Sequence, residues 1–313
     1  MNETIVIALG GNALQRDSEA TAEAQSRVAD ETARKLVPLI SQGYRLVIVH
    51  GNGPQVGNIV LHEEAINTPS VPTLPLDTCV AMSQGSIGFW LQQAMIDEFT
   101  RQGMQATATT MITQMLVDRD DPAFTSPSKP IGPFYKEAEA RELQASRGFT
   151  VKEDAGRGWR RVVPSPKPRK IVEEYTLKSL IDAGVTVITA GGGGVPVIQG
   201  ADGSYTGVEA VIDKDFSAAK VAEVVGASKL VILTAVDYVM TGYDTPKQRE
   251  LHELKVDEAK QLIEQGQFAA GSMLPKVQAA LSFVSQPGRT AVIGSLDHVA
   301  DVIAGTSGTQ FTA

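Results

Sequence analysis

Short, β-branched, almost wholly apolar runs recur along this chain, separated by longer amphipathic stretches, and that alternation limits the folds open to it. The runs are TIVIAL from Thr4, RLVIVH from Arg45, TVITA from Thr186, KLVILT from Lys229 and TAVI from Thr290. A further β-like run, TATTMITQMLV, starts at Thr107. Helical periodicity marks Ala20–Gln42, Pro54–Ile66, Asp77–Gln102, Lys170–Ala183, Lys214–Val225, Val256–Glu264 and Leu274–Ser285. Strands that are apolar on both faces need cover on both sides, so the pattern predicts an α/β fold with a mainly parallel sheet between helical layers.

Ligands of such sheets bind beyond the carboxyl ends of the strands. Here the ends are rich in glycine: Gly10-Gly11-Asn12, His50-Gly51-Asn52-Gly53-Pro54 and Gly191 to Gly194. Glycine lets an anion approach backbone N–H groups closely, so three such ends point to a phosphate or carboxylate site. The P-loop pattern and the dinucleotide glycine fingerprint are both missing. Lysines stand in for them. Lys276, in GSMLPK, falls in the first turn of a helix, where its charge fits if ammonium and helix end share one phosphate. In VIDKD, Asp213 and Asp215 flank Lys214 at another helix start, an arrangement that holds an ammonium in place for phosphoryl transfer. Lys129 lies between prolines in SPSKPIGPF.

Charge is divided unevenly. The window from Arg119 to Lys170 has five Lys and seven Arg against three Asp and four Glu, a net of +5 in a chain of net −8, which leaves −13 for the remainder. It also holds seven of the 16 prolines, which rules out two long regular helices. A basic excursion over an anionic ligand is the functional reading and a solvated surface loop the bland one. The acidic total argues against nucleic acid as partner. No apolar run approaches the roughly 18 residues of a membrane span and the first residues do not read as a secretory signal, so a cytoplasmic location is expected. Cys79, the one cysteine, reads as a packed thiol, His50 as structural, and Trp159 with its arginine neighbours as local packing. The histidines at 50, 62, 252 and 298 lack metal-ligand spacing.

Nine motifs in order, ALGGNAL, HGNGPQVG, PLDTCVAMSQGSIG, SKPIGPF, KEDAGRGWRRVVPSPKP, GGGGVPV, EAVIDKD, LTAVDYV and GSMLPKV, make the whole chain resemble the carbamate kinases of the amino acid kinase family. The resemblance implies one domain, a three-layer αβα sandwich with an open sheet of about eight strands and a small protruding lid over 119–170. Residues 1–118 and 171–212 would mainly bind carbamate, and 213–313 the nucleotide. The implied reaction is ATP + carbamate ⇌ ADP + carbamoyl phosphate, running towards ATP in fermentative arginine or agmatine breakdown, in a homodimer. Backbone amides of Gly10, Gly11, Gly51, Asn52 and Gly53, with the Asn12 side chain, would hold carbamate. Lys129, Lys214 and Lys276 would neutralise the transferring group, with Asp215 fixing the last two. Ala235, Asp237, Tyr238, Val239, Tyr243 and Met273 would surround the adenine. Mg2+ would ride on the nucleotide phosphates with no protein side chain as ligand. Two alternatives stay open: a kinase of the same fold for another small carboxylate, and a silent nucleotide-binding paralogue.

Overall fold

The computed structural model describes residues 3–11, 14, 20–154 and 156–313. An eight-stranded sheet runs through it in the order Glu253–Lys255, Thr309–Thr312, Thr290–Ser295, Lys229–Thr234, Thr4–Leu9, Arg45–His50, Thr186–Ile188, Ala108–Thr110. Neighbours are parallel throughout, except where Thr290–Ser295 meets Thr309–Thr312. Successive strand residues face opposite sides, which sorts the apolar runs into two cores. Val6, Ala8, Val47, Val49, Leu230 and Ile232 face the helices Glu174–Asp182, Lys214–Val224 and Met273–Val284. Ile5, Ile7, Leu9, Leu46, Ile48 and Val231 face Ala22–Ser41, Leu76–Arg101 and Val299–Ala304. Complete burial of each Val, Leu or Ile side chain among these contributes about 1.5–3 kcal/mol. No described helix is long and apolar enough to cross a membrane.

Several parts differ from the sequence reading. The run from Thr107 is two strands, Ala108–Thr110 and Gln114–Val117, lying in different sheets. The second belongs to a small four-stranded sheet with Tyr205–Gly207, Val195–Gln199 and Pro168–Ile171. That last strand uses Lys170 and Ile171, expected to be helical, so the helix begins at Glu174, and the end of the basic window pairs into this small sheet. The segment expected to form the lid folds as a three-stranded antiparallel sheet, Lys129–Tyr135, Trp159–Val163 and Val151–Glu153, with the helix Glu137–Arg147.

Its seat on the body is the helix Gly53–Ala65. There Gly57 meets Gly132, a left-handed residue (φ +70°) where the lid strand slips register, and a Cβ on Gly57 would lie 2.0 Å from the Gly132 Cα. Arg147 (2.6 Å) and Arg161 (3.4 Å), both from the lid, reach Glu64 on the same helix.

Candidate active site

The carboxyl ends of the central strands, the lid and three helix N-termini border a polar cavity. One short turn, Asp213 to Asp215, organises its charges. Asp213 caps the helix Lys214–Val224 and its Oδ1 accepts from the Asp215 N–H at 2.9 Å. Its Oδ2 accepts from Lys129 Nζ of the lid at 2.6 Å. The two oxygens of Asp215 take Lys214 Nζ and Lys276 Nζ, the latter at 2.8 Å. Lys276 comes from the fourth position of the helix Met273–Val284, with Ser272 at the cap position and Pro275 in the first turn, where a missing N–H costs nothing. Three lysines from three separate segments thus converge on one turn.

Burial gives these charges their character. Asp215 is 1% exposed and Lys214 8%. Burial works to raise the Asp213 and Asp215 carboxyls, but Lys129 for the first, and Lys214 then Lys276 for the second, hold both below the usual carboxylate range. Burial also lowers Lys214, against the pull of Asp215 and with the repulsion of Lys276 adding to it. In Lys276, burial is outweighed by Asp215, so that ammonium is held more firmly than a free lysine.

The glycine-rich ends divide. Gly51, Asn52 and Gly53 line the cavity at the start of the helix Gly53–Ala65. Gly10 and Gly11 are not part of its wall, and the amides of Gly10 and Gly51 are taken: they donate to Leu233 O (3.1 Å) and Leu9 O (3.2 Å), prolonging the parallel ladder by one residue. The proposed amide nest therefore loses both. Asn12 lies outside the described residues. The buried Asn52 side chain donates to Ser83 Oγ at 2.8 Å. Of the four consecutive glycines, Gly192 borders the cavity, and its missing Cβ leaves room for the Asn52 amide, 2.1 Å from where that carbon would sit.

Arg160 is in the wall as well, a residue that sequence reasoning assigned to packing around Trp159. Its guanidinium donates to Gly132 O through Nε (3.1 Å) and Nη2 (2.8 Å), and Asp154 pairs with Nη1 at 3.3 Å. Trp159 instead lies beneath Arg141, 4.3 Å from ring centroid to guanidinium carbon. Strand alternation carries the signal: Trp159 and Arg161 share one face of the lid strand and Arg160 takes the other.

An apolar cavity adjoins the polar one, and Ser272 and Lys276 border both. Tyr238, Tyr243 and Met273 line it as expected, joined by Thr234, Val236, Met240, Gln267, Phe268 and Ala269. The other three expected residues do not. Ala235 is exposed outside the wall, and Asp237 is exposed and points to His298 at 3.9 Å. Val239 is buried in the core, with its N–H donated to Thr309 Oγ1 at 2.8 Å.

The two remaining candidates, Cys79 and His50, lie outside the walls of both cavities. Burial, then Glu63 and Glu209, pushes the Cys79 thiol up to about 11. Burial lowers His50 to about 4, with its Nδ1–H bonded to Gly51 O at 2.8 Å. Among the described residues no group of three or more His, Cys, Asp or Glu could hold a metal ion.

Residues 3–295 match the amino acid kinase family. The chain is 49% identical to the carbamate kinase of Pyrococcus furiosus over 99% of both sequences. It is 48% identical to carbamate kinase 2 of Enterococcus faecalis over 95% of both. Among solved structures, the carbamate kinase of Giardia lamblia bound to AMP-PNP superposes with a TM-score of 0.90 at 43% identity, covering 99% of this chain and 98% of that one.

Proposed function

The chain belongs to the amino acid kinase family, among its carbamate kinases, and we propose that it catalyses ATP + carbamate ⇌ ADP + carbamoyl phosphate where its two cavities meet. The observation that carries this reading is Lys276, which borders an apolar cavity on one side and a lysine-lined polar one on the other. A nucleotide base fits the first, between Tyr238, Tyr243 and Met273, and its phosphates reach Lys276 and Lys214. Carbamate would sit at Asn52 and Gly53, where the N-terminus of a helix favours a small anion. On this reading the segments before Asp213 serve mainly carbamate and those after it the nucleotide, with the lid above.

Phosphoryl transfer asks little covalent work of the protein: it needs reactants in line and charge neutralised as it spreads over the transferring oxygens. Lys214 and Lys276 would flank that group and Lys129 would descend on it from the lid, each set beforehand by Asp213 or Asp215. Such preset cations need no reorganisation at the moment of transfer. Carbamate, already an anion, attacks without a general base. Magnesium on the nucleotide phosphates would supply further neutralisation; Asp213 and Asp215, both already holding lysines, fit a metal carried by the phosphates rather than by the chain. We further propose a cytoplasmic homodimer. Met82, Phe89 and Ile96, seven residues apart on one face of Leu76–Arg101, are all exposed and form an apolar stripe suited to a second copy.

The test is ATP formation from ADP and carbamoyl phosphate, read through hexokinase and glucose-6-phosphate dehydrogenase, with acetyl phosphate as rival donor and an EDTA control read by chromatography of the nucleotides, because hexokinase itself needs magnesium. ATP formation that needs the metal and favours carbamoyl phosphate is expected. Tight ADP binding without transfer would instead mark a silent paralogue, and a preference for acetyl phosphate a different carboxylate kinase.

A further inference from the structure

The lid joins the body through two straps. The outgoing one turns at Pro122–Phe124, where Asp121 caps the turn by accepting from the Ala123 N–H at 2.8 Å. The returning one is Pro164-Ser165-Pro166-Lys167-Pro168. Prolines on both sides of Lys167 restrict its backbone and the direction of its side chain's departure. Its N–H donates to Asp121 Oδ2 at 2.9 Å, tying strap to strap. Its Nζ lies 3.0 Å from the centroid of the Phe216 ring, and Phe216 directly follows Asp215 on the helix that organises the site. Burial lowers the Lys167 pKa, with Asp213 and then Asp121 acting the other way, so its charge is felt by the carboxylate that receives Lys129.

We propose that Lys167 is a positioning residue for the transfer step, clasping both lid straps to the catalytic helix through the Phe216 ring and so fixing Lys129 relative to Lys214. A stacked ammonium suits this task because it is attracted to the ring face, whereas a solvated strap would leave the lid free to rock. The role rests on the phosphoryl-transfer reading above, since only a reaction using both lysines needs their separation held.

Lys167→Met, Lys167→Arg, Phe216→Leu and the Lys167→Met/Phe216→Leu double variant test it, in the full chain. Lys167→Met is expected to lower kcat for ATP formation about tenfold, within the range of a partly desolvated cation–π contact. Its ADP dissociation constant should stay within about twofold of the unaltered protein and its melting temperature should barely move, as expected of a clasp that supports positioning more than stability. Lys167→Arg should recover most of the rate, and the double variant should be no slower than the worse single one. Hydrogen exchange supplies a readout independent of activity: amides of the lid strand Lys129–Tyr135 should exchange faster in Lys167→Met, and those of Ala22–Ser41 should not. Unchanged kcat, fully multiplicative losses, a parallel loss of ADP affinity, or unchanged lid exchange would each overturn the clasp. Absence of turnover in the unaltered protein would sink the functional reading instead, while the exchange comparison still decides this one.

Discussion

Replacing Gly57 by alanine sets helix stability against lid position. On propensity alone the change favours the helix Gly53–Ala65 by about 1 kcal/mol, because alanine loses less backbone freedom than glycine. The new Cβ, however, would lie 2.0 Å from Gly132 Cα and 2.1 Å from Gly132 N, both backbone atoms that cannot swing aside. Ordinary contact begins at 3.4 Å, so the lid strand must withdraw by about 1.4 Å. Lys129 lies three residues along that strand, and its 2.6 Å bond to Asp213 would open to about 4 Å, beyond hydrogen-bond reach. A misplacement of about 1 Å can cost a transfer step about a hundredfold, and that is the expected loss in kcat. ADP binding and the melting temperature should hold, because both depend on the body.

The coupled ATP assay, with ADP affinity from calorimetry and unfolding from circular dichroism, separates these quantities. Gly132→Ala is the matched control: it meets only Gly57 Cα at 3.7 Å, so its cost is the strain of alanine at φ +70°, of order 1–2 kcal/mol, with far less displacement of the lid. A Gly57→Ala protein turning over within threefold of normal would refute the claim that this contact sets the reach of Lys129. So would a loss of ADP affinity matching the loss of rate.

Lys214→Ala and Lys276→Ala should each lower kcat by about a hundredfold or more, as removing a transition-state charge partner does, and near-normal ATP formation in either would remove it from the mechanism. His50 makes stability depend on pH: its folded pKa of about 4 lies below the ordinary 6.5, so the unfolded chain binds the extra proton between these values. Its contribution is therefore complete above pH 6.5 and lost on the way down to pH 4, about 2 kcal/mol between pH 7.5 and 5. Urea unfolding at those two pH values should show a drop in stability smaller by that amount in His50→Gln; equal drops would refute it. Glu at Met82, Phe89 and Ile96 together should give a monomer by sedimentation, whereas an unchanged mass would move any dimer contact elsewhere.

The legible parts of the fold were those where one physical demand covers several consecutive residues. Strands such as Thr4–Leu9 and Lys229–Thr234 are buried on both faces, so each announces itself as an unbroken apolar run. Pro168–Ile171 and Thr309–Thr312 have four residues each, contain polar side chains, and take their conformation from the strands they meet. Local pattern cannot resolve these. In the site, VIDKD and GSMLPK were legible because charges beside an apolar run need a reason. Gly10 and Gly51 misled because a free amide and a ladder amide differ by a single residue of strand length, which composition does not encode. Asp237 and Val239 misled differently: proximity in sequence to Tyr238 says nothing about which side chains face the cavity.

The position of Asp213 explains why the acidic body and the basic lid are parts of one device. Unpaired carboxylates and ammonium groups are costly when buried, so each must find a partner when no phosphate is bound. Asp213 and Asp215 answer that demand from a single helical turn, braced by the bond from the Asp215 N–H to Asp213 Oδ1. Lys214 belongs to that turn, Lys276 is tied to it through Asp215, and Lys129 is tied to it through Asp213. Three ammonium groups against two carboxylates leave one positive charge in surplus before any anion enters. Of the three ties, only the one through Asp213 crosses from body to lid, so movement of the lid alters Lys129 while leaving the two body lysines in register. If the lysines act as proposed, neutralising charge from the body and from the lid would be separable operations, and a glycine contact remote from the phosphates is predicted to govern transfer without governing nucleotide affinity.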